Sequence, residues 1–450
     1  MAREELLDVP AVTLASWIRE GRLGIDELLE AALARIEARE PEVGAFAFLD
    51  RALLARRLEE REFERRLGRP KPPLFGLPVA VKDIFDTFDM PTEHGSKIFA
   101  GNRPQRDAAV VERLRAAGAI VLGKTVTTEF AVLTPAATRN PLDPSRTPGG
   151  SSSGSAAAVA AGMAPLAIGS QTNGSTIRPA SFCGIYGFKP SFGSIPRRGM
   201  LAQAPSLDHV GTFARSLEDL ALLTEVLFGF DPADEATRIE APPALLELAR
   251  SEPPMPPRFA FHPGPGWSRA EEAVRGGFQE LADLLGEQMV LVELPEPDEE
   301  VVRAHRTLWT AELAHHLGPY CDRAPEAVSA GLRAMIEEGR RVGAVDYQRA
   351  RAFRRRWQRI LEELFRDFDA IVTPAALGEA PGLETTGDPI CCTLWTFAGT
   401  PAVSLPLLAG EHGLPIGVQL VGALGDDGRL LRTARWLERR VRTGVEDDGG

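Results

Sequence analysis

The stretch that decides the fold runs from Gly149 to Gly184 and reads GGSSSGSAAAVAAGMAPLAIGSQTNGSTIRPASFCG. A Gly/Ser loop passes into small apolar residues, then into the run Ala164 to Ile168, which predicts a buried strand. A second polar turn follows, with Gly174-Ser175 at its tip. Two serine-bearing loops thus bracket one helix-and-strand unit, and strand ends are where open α/β sheets place their chemistry. A flexible linker would not continue into Ala-Ala-Ala-Val-Ala-Ala and a strand. Gly150-Ser151-Ser152-Ser153-Gly154 also fits the G-x-S-x-G elbow of α/β-hydrolases, with Ser152 as nucleophile. That elbow must follow a strand, and here Arg139-Asn140-Pro141-Leu142-Asp143-Pro144 and Pro148 lie ahead of it, so the elbow reading fails.

Outward from this unit, helical and strand patterns alternate. Thr13 to Glu20 and Ile25 to Glu40 carry apolar residues at helical spacing. Leu74 to Asp86 reads as a strand and turn ending at Lys82. Asp107 to Ala117 is an amphipathic helix closed by Gly118, with the strand Ala119 to Leu122 after it, and Ser216 to Phe228 is another helix. Strand patterns return at Asp369 to Pro374, Thr400 to Pro406 and Ile416 to Gly422. Such alternation predicts βαβ units and a largely parallel sheet. Between 231 and 342 Pro, Glu and Arg dominate, with helices expected over Glu271 to Glu287 and over Pro325 to Arg341, the latter opening on its proline. We read a single domain over 1–450: N-terminal helices to 70, a catalytic core over 71–230, a helical insertion over the site at 231–342, and a return of the core at 369–440.

The formal charge of −12 argues against a nucleic-acid binder, and Arg354-Arg355-Arg356 reads as the solvated face of a helix. Cys183, Cys321, Cys391 and Cys392 have no CxxC spacing, which suits a reducing cytoplasm. The seven histidines form no ligand motif, so no metal is expected. The acidic amphipathic start resembles no signal peptide, and the most apolar window, Ala156 to Ile168, is too short to span a bilayer. A cytoplasmic protein with no membrane partner is expected.

Lysine usage bears on chemistry. Of 51 basic residues only Lys71, Lys82, Lys97, Lys124 and Lys189 are lysines. A lysine kept against that bias is a candidate for what arginine cannot do, which is lose a proton. Lys82 ends the apolar run Gly76-Leu77-Pro78-Val79-Ala80-Val81, where partial desolvation lowers its pKa. The alternative is a structural lysine paired with Asp83 or a backbone carbonyl.

These motifs together resemble the amidase signature family. That family has a Gly-Gly-Ser-Ser-x-Gly loop followed 24 residues later by a serine in a T-x-G-S turn, the separation of Ser151 and Ser175 here. Lys82 lies 69 residues before Ser151 in the matching G-x-P-x-x-V-K-D context. The resemblance covers Leu74 to about Leu223 and resumes from Asp369 to Glu438. It implies an α/β/α sandwich around a large mixed, mostly parallel sheet. It also implies a Ser-Ser-Lys triad without cofactor. Ser175 would attack the carbonyl of a small amide and carry the acyl group, Ser151 would relay the proton, and neutral Lys82 would be the final base. The products would be a carboxylate and ammonia or an amine. The Gly150-Ser151 peptide would be cis, backbone N–H groups of Thr172, Asn173, Gly174 and Ser175 would form the oxyanion hole, and Ser152 would support the substrate-binding side by hydrogen bonding.

Three departures from the family pattern stand out. Asn173 occupies a usual glycine position, where a positive φ is best tolerated by asparagine, and Ser153 replaces another glycine. Arg178, three residues past Ser175 and together with Gln171, is similar to malonamidase-type members, in which that arginine binds a substrate carboxylate. A structural arginine is the competing reading. Alternatives of function are the amidase subunit of a tRNA-dependent amidotransferase, an allophanate or carboxybiuret-type hydrolase, an aryl acylamidase, a general aliphatic amidase and a non-catalytic scaffold. Trp309, Trp395 and Phe397 are candidates for lining the acyl pocket, and a homodimer is a family-level expectation.

Overall fold

The computed structural model describes residues 3–444. Its centre is one sheet of eleven strands: β1 Phe46–Phe48, β2 Pro78–Lys82, β3 Ile120–Thr125, β4 Leu166–Gln171, β5 Tyr186–Lys189, β6 His209–Ala214, β7 Phe259–Phe261, β8 Met289–Leu291, β9 Ala370–Pro374, β10 Ala402–Ala409 and β11 Pro415–Val421. They lie in the order β1-β3-β2-β4-β6-β5-β10-β11-β9-β7-β8. β2, β3 and β4 are buried at every residue, as near-continuous apolar runs such as Pro-Val-Ala-Val require.

Side-chain alternation fixes the layers. Ala370 and Val372 of β9 enter one apolar core while Ile371 between them enters another, and Val403 and Ala402 of β10 divide the same way. Because successive strand residues face opposite sides, helices cover both faces and the molecule is an α/β/α sandwich. The second core is built largely by the helices Asp298–Arg323, Ala330–Arg340 and Ala344–Leu364 with Trp357, Trp395 and Phe397.

The sheet is mixed, but it is not mostly parallel. Parallel pairing is confined to β3-β2-β4 and to β9-β7-β8. β1-β3, β4-β6, β6-β5, β5-β10, β10-β11 and β11-β9 are antiparallel. One cause is visible between Ala409 and Pro415, where Gly410 N–H bonds Leu414 O at 2.8 Å and closes a hairpin too short for a crossover.

The 231–342 segment also differs from expectation. Besides helices it supplies β7 and β8, three residues each, too short to stand out against loop sequence. Its longest helix, Asp298–Arg323, was not anticipated. The helix expected from Pro325 begins instead at Ala330, because the hydroxyl of Ser329 caps it by accepting from Leu332 N–H at 3.3 Å.

Candidate functional site

The Ser153–Ala160 helix starts where the Gly/Ser loop meets the C-terminal ends of β2 and β4, and every residue of its first two turns is buried. Gly154 is required there, since a Cβ at that position would run into Ala45 O and lie 2.5 Å from Val126 N. Ahead of it Gly149 adopts φ 84° and the Gly150-Ser151 peptide is cis. Ser151 thereby faces β2.

Lys82, at the end of β2, has no exposed surface, and its Nζ lies 2.8 Å from Ser151 Oγ and 2.8 Å from Ser170 Oγ. Burial holds its pKa well below the ordinary lysine value, opposed only by the field of Asp208. A neutral amine satisfies this setting, donating to one hydroxyl and accepting from the other. The structural alternative of a Lys82–Asp83 pair is absent: Asp83 pairs with Lys124 at 3.0 Å. Ser170 is a contact the sequence reading missed. Its signal lay in the β2-β4 register, where Val81 faces Ile168 and so carries Lys82 alongside the end of β4.

The turn after β4 is held from several sides. Gln171 Oε1 accepts from Thr176 N–H at 3.0 Å and Ile177 N–H at 3.1 Å, and its Nε2 donates to Thr396 Oγ1 at 3.0 Å. Thr172 Oγ1 donates to Asp208 Oδ1 at 2.6 Å, and Thr393 Oγ1 donates to Asn173 Oδ1 at 2.8 Å. Asn173 is not among the residues with positive φ. Its side chain, rather than a left-handed backbone, explains its fit. Among the described residues, the N–H groups of Asn173, Gly174 and Ser175 donate to no protein acceptor. Such buried orphan donors are rare in folded chains and mark a place kept for a ligand oxygen. Ser175 Oγ likewise makes no hydrogen bond, so the structure joins Lys82 to Ser151 but leaves the Ser151–Ser175 link unmade.

Two expected substrate contacts stand elsewhere. Ser152 has no exposed surface and its hydroxyl pairs with the N–H and C=O of Ser170, each at 3.2 Å, tying the Ser153–Ala160 helix to β4. Arg178 is 1% exposed, donating from Nε to Thr386 O at 2.7 Å and from Nη2 to Gly150 O at 2.6 Å. Burial lowers its pKa to about 10. It clamps the carbonyl before Ser151, and Nη1, without a partner, packs where a Cβ on Gly174 would meet it at 2.8 Å. Trp309, Trp395 and Phe397 are buried in the second core.

An α/β/α sandwich with a buried lysine, two loop serines and a turn of free N–H groups defines a hydrolytic enzyme acting on acyl groups. The chain belongs to the amidase family, whose pattern matches residues 27–431. It is an enzyme acting on amide C–N bonds. It is 38% identical to the amidase-family component, the A chain, of the glutamyl-tRNA(Gln) amidotransferase of Thermus thermophilus, over 94% of this chain and 95% of that one. Among solved structures it is similar to the native peptide amidase of Stenotrophomonas maltophilia, at 29% identity and TM-score 0.84 over 98% of both chains. It is also similar to a chain from a vestigial protein complex bearing on the origins of an s-triazine catabolic enzyme, at 32% identity and TM-score 0.89, covering 96% of this chain and 98% of that one. The malonamidase-type likeness drawn from Gln171 and Arg178 is not what these relatives support. Among the described residues no helix is long and apolar enough to cross a membrane.

Proposed function

We propose that this chain cleaves a carboxamide through an acyl-enzyme on Ser175, and that it does so as the amidase subunit of a tRNA-dependent amidotransferase. The observation that carries the chemistry is the row of unpartnered N–H groups at Asn173, Gly174 and Ser175 beside a neutral buried lysine. Lys82 takes the Ser151 proton as Ser151 takes that of Ser175. Ser175 Oγ then adds to the carbonyl carbon, and the oxyanion is received by the free N–H groups. The C–N bond breaks as the proton returns to the leaving nitrogen, and water repeats the sequence on the ester. The closing of Ser175 onto Ser151 belongs to the substrate complex, since such bonds tighten on binding.

Support for the subunit reading comes from the near full-length likeness to the corresponding chains of glutamyl-tRNA(Gln) amidotransferases. It also comes from Arg178, whose bonds to Gly150 O and Thr386 O give it internal work in place of a substrate carboxylate. A free hydrolase is the second reading, favoured by the likeness to peptide amidase. Ammonia or amine release from glutamine, malonamate, acetamide and an anilide tests both. Glutamine is expected to be preferred, with Ser175→Ala inactive. Arg178→Ala is expected to slow all substrates together and to lower stability, at about 1–3 kcal/mol for each carbonyl left bare. A malonamate preference that vanishes with Arg178→Ala would restore the half-amide reading.

A further inference from the structure

The free N–H groups of the 172–175 turn must be aimed, and a trans peptide offers a simple way to aim them. In each planar unit the N–H points opposite to the C=O that shares it, so fixing the carbonyl of one residue fixes the N–H of the next. Gly150-Ser151 is the cis bond found in the chain, and the peptides joining Thr172 to Asn173 and Asn173 to Gly174 are trans. The carbonyl of Thr172 accepts from His305 Nε2 at 3.0 Å. The carbonyl of Asn173 accepts from Thr396 Oγ1 at 2.7 Å. The other carbonyl within reach of that hydroxyl, Cys392 O at 2.8 Å, already serves the hydrogen-bond ladder of its own helix, Ile390–Ala398.

We propose that His305 and Thr396 are positioning residues that turn the Asn173 and Gly174 N–H groups toward the substrate carbonyl, so that the Asp298–Arg323 helix takes part in setting the oxyanion hole. The inference rests on the acyl-enzyme reading above. Because a carbonyl only accepts, His305 holds its proton on Nε2, and burial keeps the ring neutral by lowering its pKa to about 4. The same helix grips the turn a second way. Trp309 Nε1 donates to Gln203 Oε1 at 2.8 Å, Gln203 N–H donates to Asp208 Oδ2 at 3.0 Å, and Asp208 Oδ1 receives the Thr172 hydroxyl. Two routes therefore run from one helix of the 231–342 segment to one turn.

The test is the rate at which a fluorophosphonate labels Ser175, which needs no knowledge of the natural substrate. Ser175 Oγ displaces fluoride at phosphorus, its proton passes to Ser151 and Lys82, and the phosphoryl oxygen sits where the oxyanion would. His305→Phe and Thr396→Val, which keep shape and remove the donor, are expected to slow labelling by about 10- to 100-fold, less than the loss of an oxyanion donor itself. His305→Gln and Thr396→Ser, which keep a donor, are expected to recover within a few-fold. On an amide substrate the loss should fall on kcat with KM nearly unchanged. Melting temperatures of all four variants separate misfolding from misaiming, and if His305→Phe does not fold, the near-isosteric Thr396→Val decides. Folded variants lacking the donor that label at the wild-type rate overturn the positioning role. So do donor-retaining variants as slow as the others. Wild-type protein left unlabelled at Ser175 overturns the acyl-enzyme reading instead.

Discussion

At Lys82 an amine sits between two hydroxyls with no carboxylate in hydrogen-bonding contact, and this single placement governs both rate and stability. The folded state holds it neutral under conditions where the unfolded chain keeps it protonated. The unfolded state then binds the extra proton, so stability rises with pH from the lowered folded pKa up to the ordinary value of 10.5. Lys82→Met is therefore expected to melt at a higher temperature than wild type at neutral pH, with the gain shrinking toward pH 10. Its turnover should fall by about 10²–10⁴-fold. Wild-type activity should drop as pH is lowered through the folded pKa. Melting curves and initial rates across pH check both, and a variant that gains no stability at neutral pH would show that the amine is not held uncharged. Lys82, Ser151 and Ser175 were legible because motif spacing and the scarcity of lysine both point at them. Ser170 and His305 were not. One depends on which strand lies beside β2, and the other on a helix more than a hundred residues away in sequence.

The Ser153–Ala160 helix is the element on which the site turns, since its first residues carry the serine loop and its alanines allow close approach to the sheet. Gly154→Ala pushes a methyl into the backbone at Ala45 and Val126. Overpacking of this kind costs about 1–3 kcal/mol. The expected result is a lower denaturation midpoint together with slower Ser175 labelling, because the helix and Ser151 move as one. Denaturant titration of the variant checks the first and labelling the second. Helices and buried strands of this kind were readable from period and apolar runs. β7 and β8 were not, since three-residue edge strands owe their existence to pairing with β9 rather than to their own pattern.

Across the whole molecule one sheet gathers strands from Phe46 through Val421, so segments far apart in the chain share one body. The antiparallel middle of that sheet escaped the sequence because alternation of helix and strand says nothing about which strands become neighbours. At this scale the subunit reading makes its own prediction: a tagged copy recovered from its native cells at low salt should carry partner subunits in fixed ratio. Recovery of the chain alone, with full glutamine turnover, would favour the free hydrolase.

Three of the five lysines, Lys82, Lys124 and Lys189, have no exposed surface. Lys71 is half-buried, with its Nζ on Ile18 O and Arg19 O, and Lys97 lies open. To an amine-directed reagent the folded protein is thus nearly blank, since its many arginines do not react and its base is sealed. A dye, a resin or a crosslinker applied at lysine would attach at Lys97 before anywhere else among the side-chain amines, leaving the catalytic turn untouched.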